Sequence, residues 1–121
     1  MKMKSLAALA AVAFAAAACA GAPTKTDGGV LTDQKGMTLY TFDKDMNGKS
    51  ACNGPCAKNW PPLAASSDAT ANGDYTVITR DDGTKQWAYK GKPLYAWTKD
   101  QKPGDRTGDG FLNGAWHVAM P

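Results

Sequence analysis

An eleven-residue pattern occurs twice in this chain. Lys35-Gly36-Met37-Thr38-Leu39-Tyr40-Thr41-Phe42-Asp43-Lys44-Asp45 returns as Lys90-Gly91-Lys92-Pro93-Leu94-Tyr95-Ala96-Trp97-Thr98-Lys99-Asp100, and seven of the eleven positions agree when Phe42 and Trp97 count as one aromatic class. Each copy is followed by a tryptophan: Trp60 lies 20 residues after Tyr40, and Trp116 lies 21 after Tyr95. A repeat of this size is one supersecondary unit used twice. The expectation is two related halves packed into one body.

The N-terminus reads as a targeting segment. Met1-Lys2-Met3-Lys4 is positive, Leu6 to Ala18 is apolar and alanine-rich, and small residues follow. That is the layout of a secretory signal peptide over residues 1–18. The apolar run is shorter than the ~20 residues a spanning helix needs. Ala16-Ala17-Ala18-Cys19 resembles a bacterial lipobox, with Ala16 where leucine is usual. Ordinary cleavage at the small-x-small triplet Ala18-Cys19-Ala20 is the alternative. The chain has three cysteines, and lipidation of Cys19 explains the odd one, leaving Cys52 and Cys56 as a pair. Loss of residues 1–18 removes two lysines and no acids, so the formal charge falls to +1. No basic stripe remains to suggest nucleic acid. Ala20 to Gly29 reads as a flexible tether, and about 100 residues remain, enough for one domain with a modest core.

Strand signals along that domain are short. Val30–Thr32, Met37–Phe42, Tyr75–Arg80, Lys85–Tyr89, Pro93–Trp97 and Ala115–Ala119 are candidates, with Asp82-Gly83 as a hairpin turn. Pro93 lacks an N–H and belongs at a strand start or edge. One helical turn is expected at Cys56–Trp60, stopped by Pro61-Pro62. Residues 47–55, 64–73 and 102–114 read as loops. The fold class is mostly β: a small single domain at 30–121 of two hairpin or meander repeats, about 30–63 and 75–121, with little or no helix.

Tyr40-Thr41-Phe42-Asp43-Lys44-Asp45 and Tyr95-Ala96-Trp97-Thr98-Lys99-Asp100 both fit Tyr-x-aromatic-x-x-Asp. Cys52-x-Gly54-x-Cys56, Trp60-Pro61-Pro62-Leu63, Gly104 to Gly110 and Trp116-His117-Val118 accompany them. With these residues the chain resembles the bacterial lipoprotein family of secreted repeats of unknown function, over roughly Val30 to Pro121. The resemblance implies architecture and an envelope location, and no reaction.

Each motif has a plain and a sharper reading. Tyr40 and Phe42, like Tyr95 and Trp97, share one strand face. They either fill a core, with Asp45 and Asp100 capping the turns that follow, or line an aromatic surface for a sugar, peptide or quinone. Cys52 and Cys56 form a disulfide by default in an oxidising compartment. Thiol-redox or copper chemistry with His117, the only histidine, is the alternative, since Cys-x-x-x-Cys with a distant histidine resembles Sco-type copper proteins. Met37, Met46 and Met120 would suit Cu(I). The chain lacks the βαβ pattern of those proteins. Asp105, Thr107 and Asp109 fall at the first alternate positions of a calcium loop, but Trp116 stands where its bidentate glutamate belongs. Asp43, Asp45 and Asp100 could meet as paired carboxylates. No nucleophile with a positioned base is visible, and no phosphate-binding glycine loop.

The sequence therefore predicts a non-catalytic binding or structural module with no cofactor. It is expected to be tethered by lipid to a membrane and to face the periplasm, at the outer membrane if the host is Gram-negative. Its partner is expected to be an envelope protein or a small molecule.

Overall fold

The computed structural model describes residues 22–121. The signal segment 1–18 and the lipidation candidate Cys19 lie outside the described residues. No described helix is long and apolar enough to cross a membrane.

The regular strands are two to five residues long. β1 (Lys25–Asp27) and β2 (Val30–Thr32) form a hairpin across Gly28-Gly29, with Thr26 opposite Leu31. β3 (Tyr40–Phe42) pairs antiparallel with β7 (Trp116–Val118), Thr41 facing His117. β4 (Tyr75–Thr79), β5 (Lys85–Tyr89) and β6 (Lys92–Pro93) form an antiparallel meander. Its first turn contains the expected Asp82-Gly83, where Asp82 accepts from the Thr84 amide and Gly83 adopts φ +88°. Pro93 sits on edge strand β6, where its missing N–H costs no ladder bond. α1 (Pro55–Asn59) is the single turn expected before Pro61-Pro62. α2 (Phe111–Gly114) is an irregular turn in which Leu112 and Asn113 have φ +59° and +55°.

Three expectations are corrected. The tether reading of 20–29 fails from Lys25 onward, because β1 hydrogen-bonds to β2 and Thr24 is buried. The loop at 102–114 contains α2. The long strands expected at Met37–Phe42 and Pro93–Trp97 are regular only at Tyr40–Phe42 and at Lys92–Pro93, with isolated bridges at Thr38 and Tyr95. At Tyr40 and Tyr95 each strand leaves its own hairpin to pair with the other repeat.

The two repeats interlock. At the centre the Tyr40 amide donates to the Tyr95 carbonyl at 2.8 Å and the Tyr95 amide returns the bond at 2.9 Å. Moving outward, three further pairs of bonds correspond. Ala119 N donates to Leu39 O and Leu63 N donates to Leu94 O; Leu31 N donates to Ala119 O and Trp87 N donates to Leu63 O; Asp43 N donates to Ala115 O and Thr98 N donates to Asn59 O. The last segment of each repeat thus pairs with the other repeat. Residues 116–119 complete the first half, and residues 60–64 complete the second. This reciprocal exchange answers a question the repeat pattern leaves open, namely whether the halves stack or merge.

The core follows the same two-fold relation. Phe42, Trp116, Trp60 and Trp97 form one continuous ring stack, with centroid separations of 4.1, 3.7 and 3.9 Å in that order. The outer members come from the motif strands and the inner members from the exchanged segments. Tyr40 stands edge-on to Trp60 at 79°, and Tyr95 edge-on to Trp116 at 85°. Such geometries add about 0.5–1.5 kcal/mol per pair beyond area burial. A second cluster of Leu31, Leu39, Leu94 and Ala119 closes the other side.

Candidate functional site

The repeated polar residues are engaged with one another across the two-fold. Tyr40 Oη donates to Asp100 Oδ2 at 2.6 Å, and Tyr95 Oη donates to Asp45 Oδ2 at 2.6 Å. Each aspartate also closes its own loop: Asp45 accepts from the Ala51 amide at 2.7 Å, and Asp100 from the Thr107 amide at 2.9 Å. The one-residue difference between these loops is the extra residue that separates Trp116 from Tyr95. Burial, and then the adjoining carboxylate, raises both tyrosine pKa values above the usual range. Burial also raises the Asp45 carboxyl, although the Ala51 amide, the Tyr95 hydroxyl and Arg80 pull it down. The motif aromatics are all buried. They form core, which removes the reading of an aromatic-lined surface built on them.

The Tyr95–Asp45 half of the clasp has a polar extension shared by both repeats. The Ser50 hydroxyl lies 2.6 Å from Tyr95 Oη. Arg80, 4% exposed, donates to Ser50 Oγ, Gln86 Oε1 and the Cys52 carbonyl. A buried guanidinium is tolerated only when its donors are satisfied, and here they anchor the loop that holds the cysteines. Cys52 and Cys56 form a disulfide with a Cα–Cα distance of 5.2 Å. Cys52 is fully buried against the ring stack. The equivalent positions of the second repeat are Gly108 and Leu112. A Cβ at Gly108 would lie 2.6 Å from the Trp60 ring, so only glycine fits.

The proposed metal sets are not brought together. Among the described residues no group of three or more His, Cys, Asp or Glu side chains could hold a metal ion. His117 lines a groove that neither cysteine lines. In the candidate calcium loop Asp105 accepts from the Gln101 and Lys102 amides, which with the Lys102 ammonium hold its carboxyl below the usual range, and Asp109 accepts from the Val118 amide. The Asp105 bonds are local turn bonds, and the Asp109 bond ties the loop to β7. Asp43, Asp45 and Asp100 do not converge either: Asp43 and Asp45 line one small cavity, while Asp100 is buried behind Tyr40.

What the residue pattern misses is the pair formed by His117 and Asp43. His117 Nε2 and Asp43 Oδ2 are 2.8 Å apart although 74 positions separate them. The register of β3 on β7 makes the contact, and no local signal announces it. The pair lines a groove of about 400 Å³ with Lys90, Lys92, Tyr89 and Met120. Lys90 and Gly91 form the β5–β6 turn with φ +49° and +84°, the two positive values a type I′ hairpin needs.

A family model described as a secreted repeat of unknown function matches residues 21–64 and again residues 76–120, the same two units that interlock in the structure. No curated protein and no solved structure matches the chain. The chain belongs to the family of secreted repeats of unknown function.

Proposed function

We propose that this protein is a non-catalytic binding module of the cell envelope, exported and held at a membrane by lipid on Cys19. The observation that carries the reading is the reciprocal clasp. The repeated tyrosines and aspartates bond to each other in the core, so the motif builds a rigid frame and leaves ligand contact to the residues that differ between the repeats. The export signal, the lipobox-like Ala16 to Cys19 and the odd cysteine support the anchor. A periplasm-facing position at the outer membrane follows if the host is Gram-negative. The disulfide acts as a staple, holding the first repeat's loop against the ring stack.

The test is the intact mass of the mature protein isolated from its own envelope, before and after reduction. The reading predicts an acylated cysteine at residue 19 and a two-dalton gain on reduction. A mature chain without lipid would overturn the anchor. Free thiols in the freshly isolated protein would overturn the staple.

A further inference from the structure

The internal repeat supplies its own control. Where one half of a two-fold fold carries chemistry that the other half builds without, the fold does not demand that chemistry. The backbone pairing makes Pro61 the counterpart of His117, Thr98 of Asp43, Met37 of Lys92 and Ala64 of Met120. Corresponding backbone segments pair at both places. A second groove of about 380 Å³ lies against the equivalent place, lined by Asp33, Lys35, Leu63 and Ala64, the counterparts of Tyr89, Lys90, Ala119 and Met120. It has no histidine and a single lysine. Its carboxylate, Asp33, is occupied by the Lys35 and Met37 amides.

We propose that the His117 groove binds a small organic oxyanion, a carboxylate or phosphate carried on an apolar body. The inference deepens the binding reading above and rests on it, but not on the anchor. Three observations converge. Lys90 and Lys92 line the groove, with the Lys90 ammonium 5.2 Å from the Tyr89 ring centroid, and Asp43, the one carboxylate among the lining residues, is already paired with His117 Nε2. That balance repels a metal cation and attracts an anion. The ring's other nitrogen has no hydrogen bond among the described residues, so protonated His117 offers it as a donor. Tyr89 and Met120 supply an apolar wall, Met120 being 59% exposed with no cover. The volume falls within the range of small-molecule sites, roughly 300–1,000 Å³. Lys90 also holds a left-handed backbone conformation, which its counterpart Lys35 does not. A lysine there is strained, where glycine or asparagine would turn the hairpin more cheaply.

The charged or titratable groups facing His117 are Asp43 beyond β3, Tyr89, Lys90 and Lys92 on the β5–β6 hairpin, and Asp45 in the adjoining cavity. The test titrates the full mature protein in neutral detergent micelles with benzoate, phenyl phosphate and uncharged benzamide. The readout is the NMR signals of the His117 ring and the Lys90–Lys92 amides. Saturable shifts with either anion and none with benzamide are expected. Which anion binds tighter distinguishes a carboxylate ligand from a phosphate ligand. His117→Gln and Lys92→Met should each weaken binding about fivefold or more, with the remaining spectrum unchanged to show an intact fold. Equal response to benzamide, shifts that do not saturate, or equal binding by both variants would overturn the proposal. The lipid mass, read on the same preparation, reports separately on the anchor.

Discussion

The two repeats are the same where they meet and different in the loops around that junction. At the interface every element is duplicated: the tyrosine amide exchange, the Tyr–Asp clasp, and the edge-on tyrosine beneath a stacked tryptophan. Away from it the first repeat has a disulfide loop anchored by the buried Arg80 of the second, whereas the second has Gly108 and an exposed Phe111–Leu112 turn. The Asp43–His117 pair joins one residue of each repeat, and its counterpart is Thr98 with Pro61. Duplication marks what the fold requires, and divergence marks what the fold leaves free.

The sharpest way to break the comparison is to separate its halves. Each repeat borrows its last segment from the other, so a chain cut between residues 64 and 65 should leave neither fragment folded alone. Mixing the fragments should restore the stacked-tryptophan near-ultraviolet circular dichroism. A fragment that folds unaided would show that the exchange is ornamental. Next in size is the inner pair of the stack. Trp60→Ala and Trp116→Ala should each cost about 3–5 kcal/mol in denaturant unfolding, and similar values for the two would support equivalence.

Smaller effects belong to the clasp. Tyr40→Phe and Tyr95→Phe each remove a buried hydroxyl from a carboxylate that keeps its backbone donor, costing about 1.5–3 kcal/mol. Both tyrosines have raised pKa values in the fold. Their stabilisation is therefore complete below the unfolded tyrosine value of about 10 and falls as pH rises past it, because the unfolded chain then releases protons that the folded one retains. Alkaline unfolding curves should flatten in either variant. The disulfide sharpens the comparison on one side only: replacing Cys52 and Cys56 by alanine should cost about 2 kcal/mol on the chain-entropy account of so short a loop. Least of all, His117→Gln should leave stability within about 0.5 kcal/mol, as expected for a position the other half fills with proline.

Much of this fold was legible in the residues, and the boundary of legibility is physical. The Asp82-Gly83 turn, the helical turn before Pro61-Pro62 and the edge position of Pro93 are local, and local chemistry dictates them. The exchange of residues 60–64 and 116–119 is not. A 55-residue offset reveals two units, but strands of three residues take their partners from long-range packing rather than from propensity. For the same reason Asp45 and Asp100 read as turn caps, which they are, while their tyrosine partners in the opposite repeat stay hidden. β1 was missed because Lys25, Thr26 and Asp27 are all exposed and carry no alternation. The His117 groove was invisible because β3–β7 register alone joins residues so far apart.

The central claim is that the motif locks one repeat to the other, and a double-mutant cycle measures that directly. Tyr40→Phe should couple to Asp100→Asn by roughly 1 kcal/mol or more, and should add to Asp45→Asn within about 0.5 kcal/mol. Coupling of Tyr40 to Asp45, the aspartate of its own motif, with additivity toward Asp100 would contradict the account.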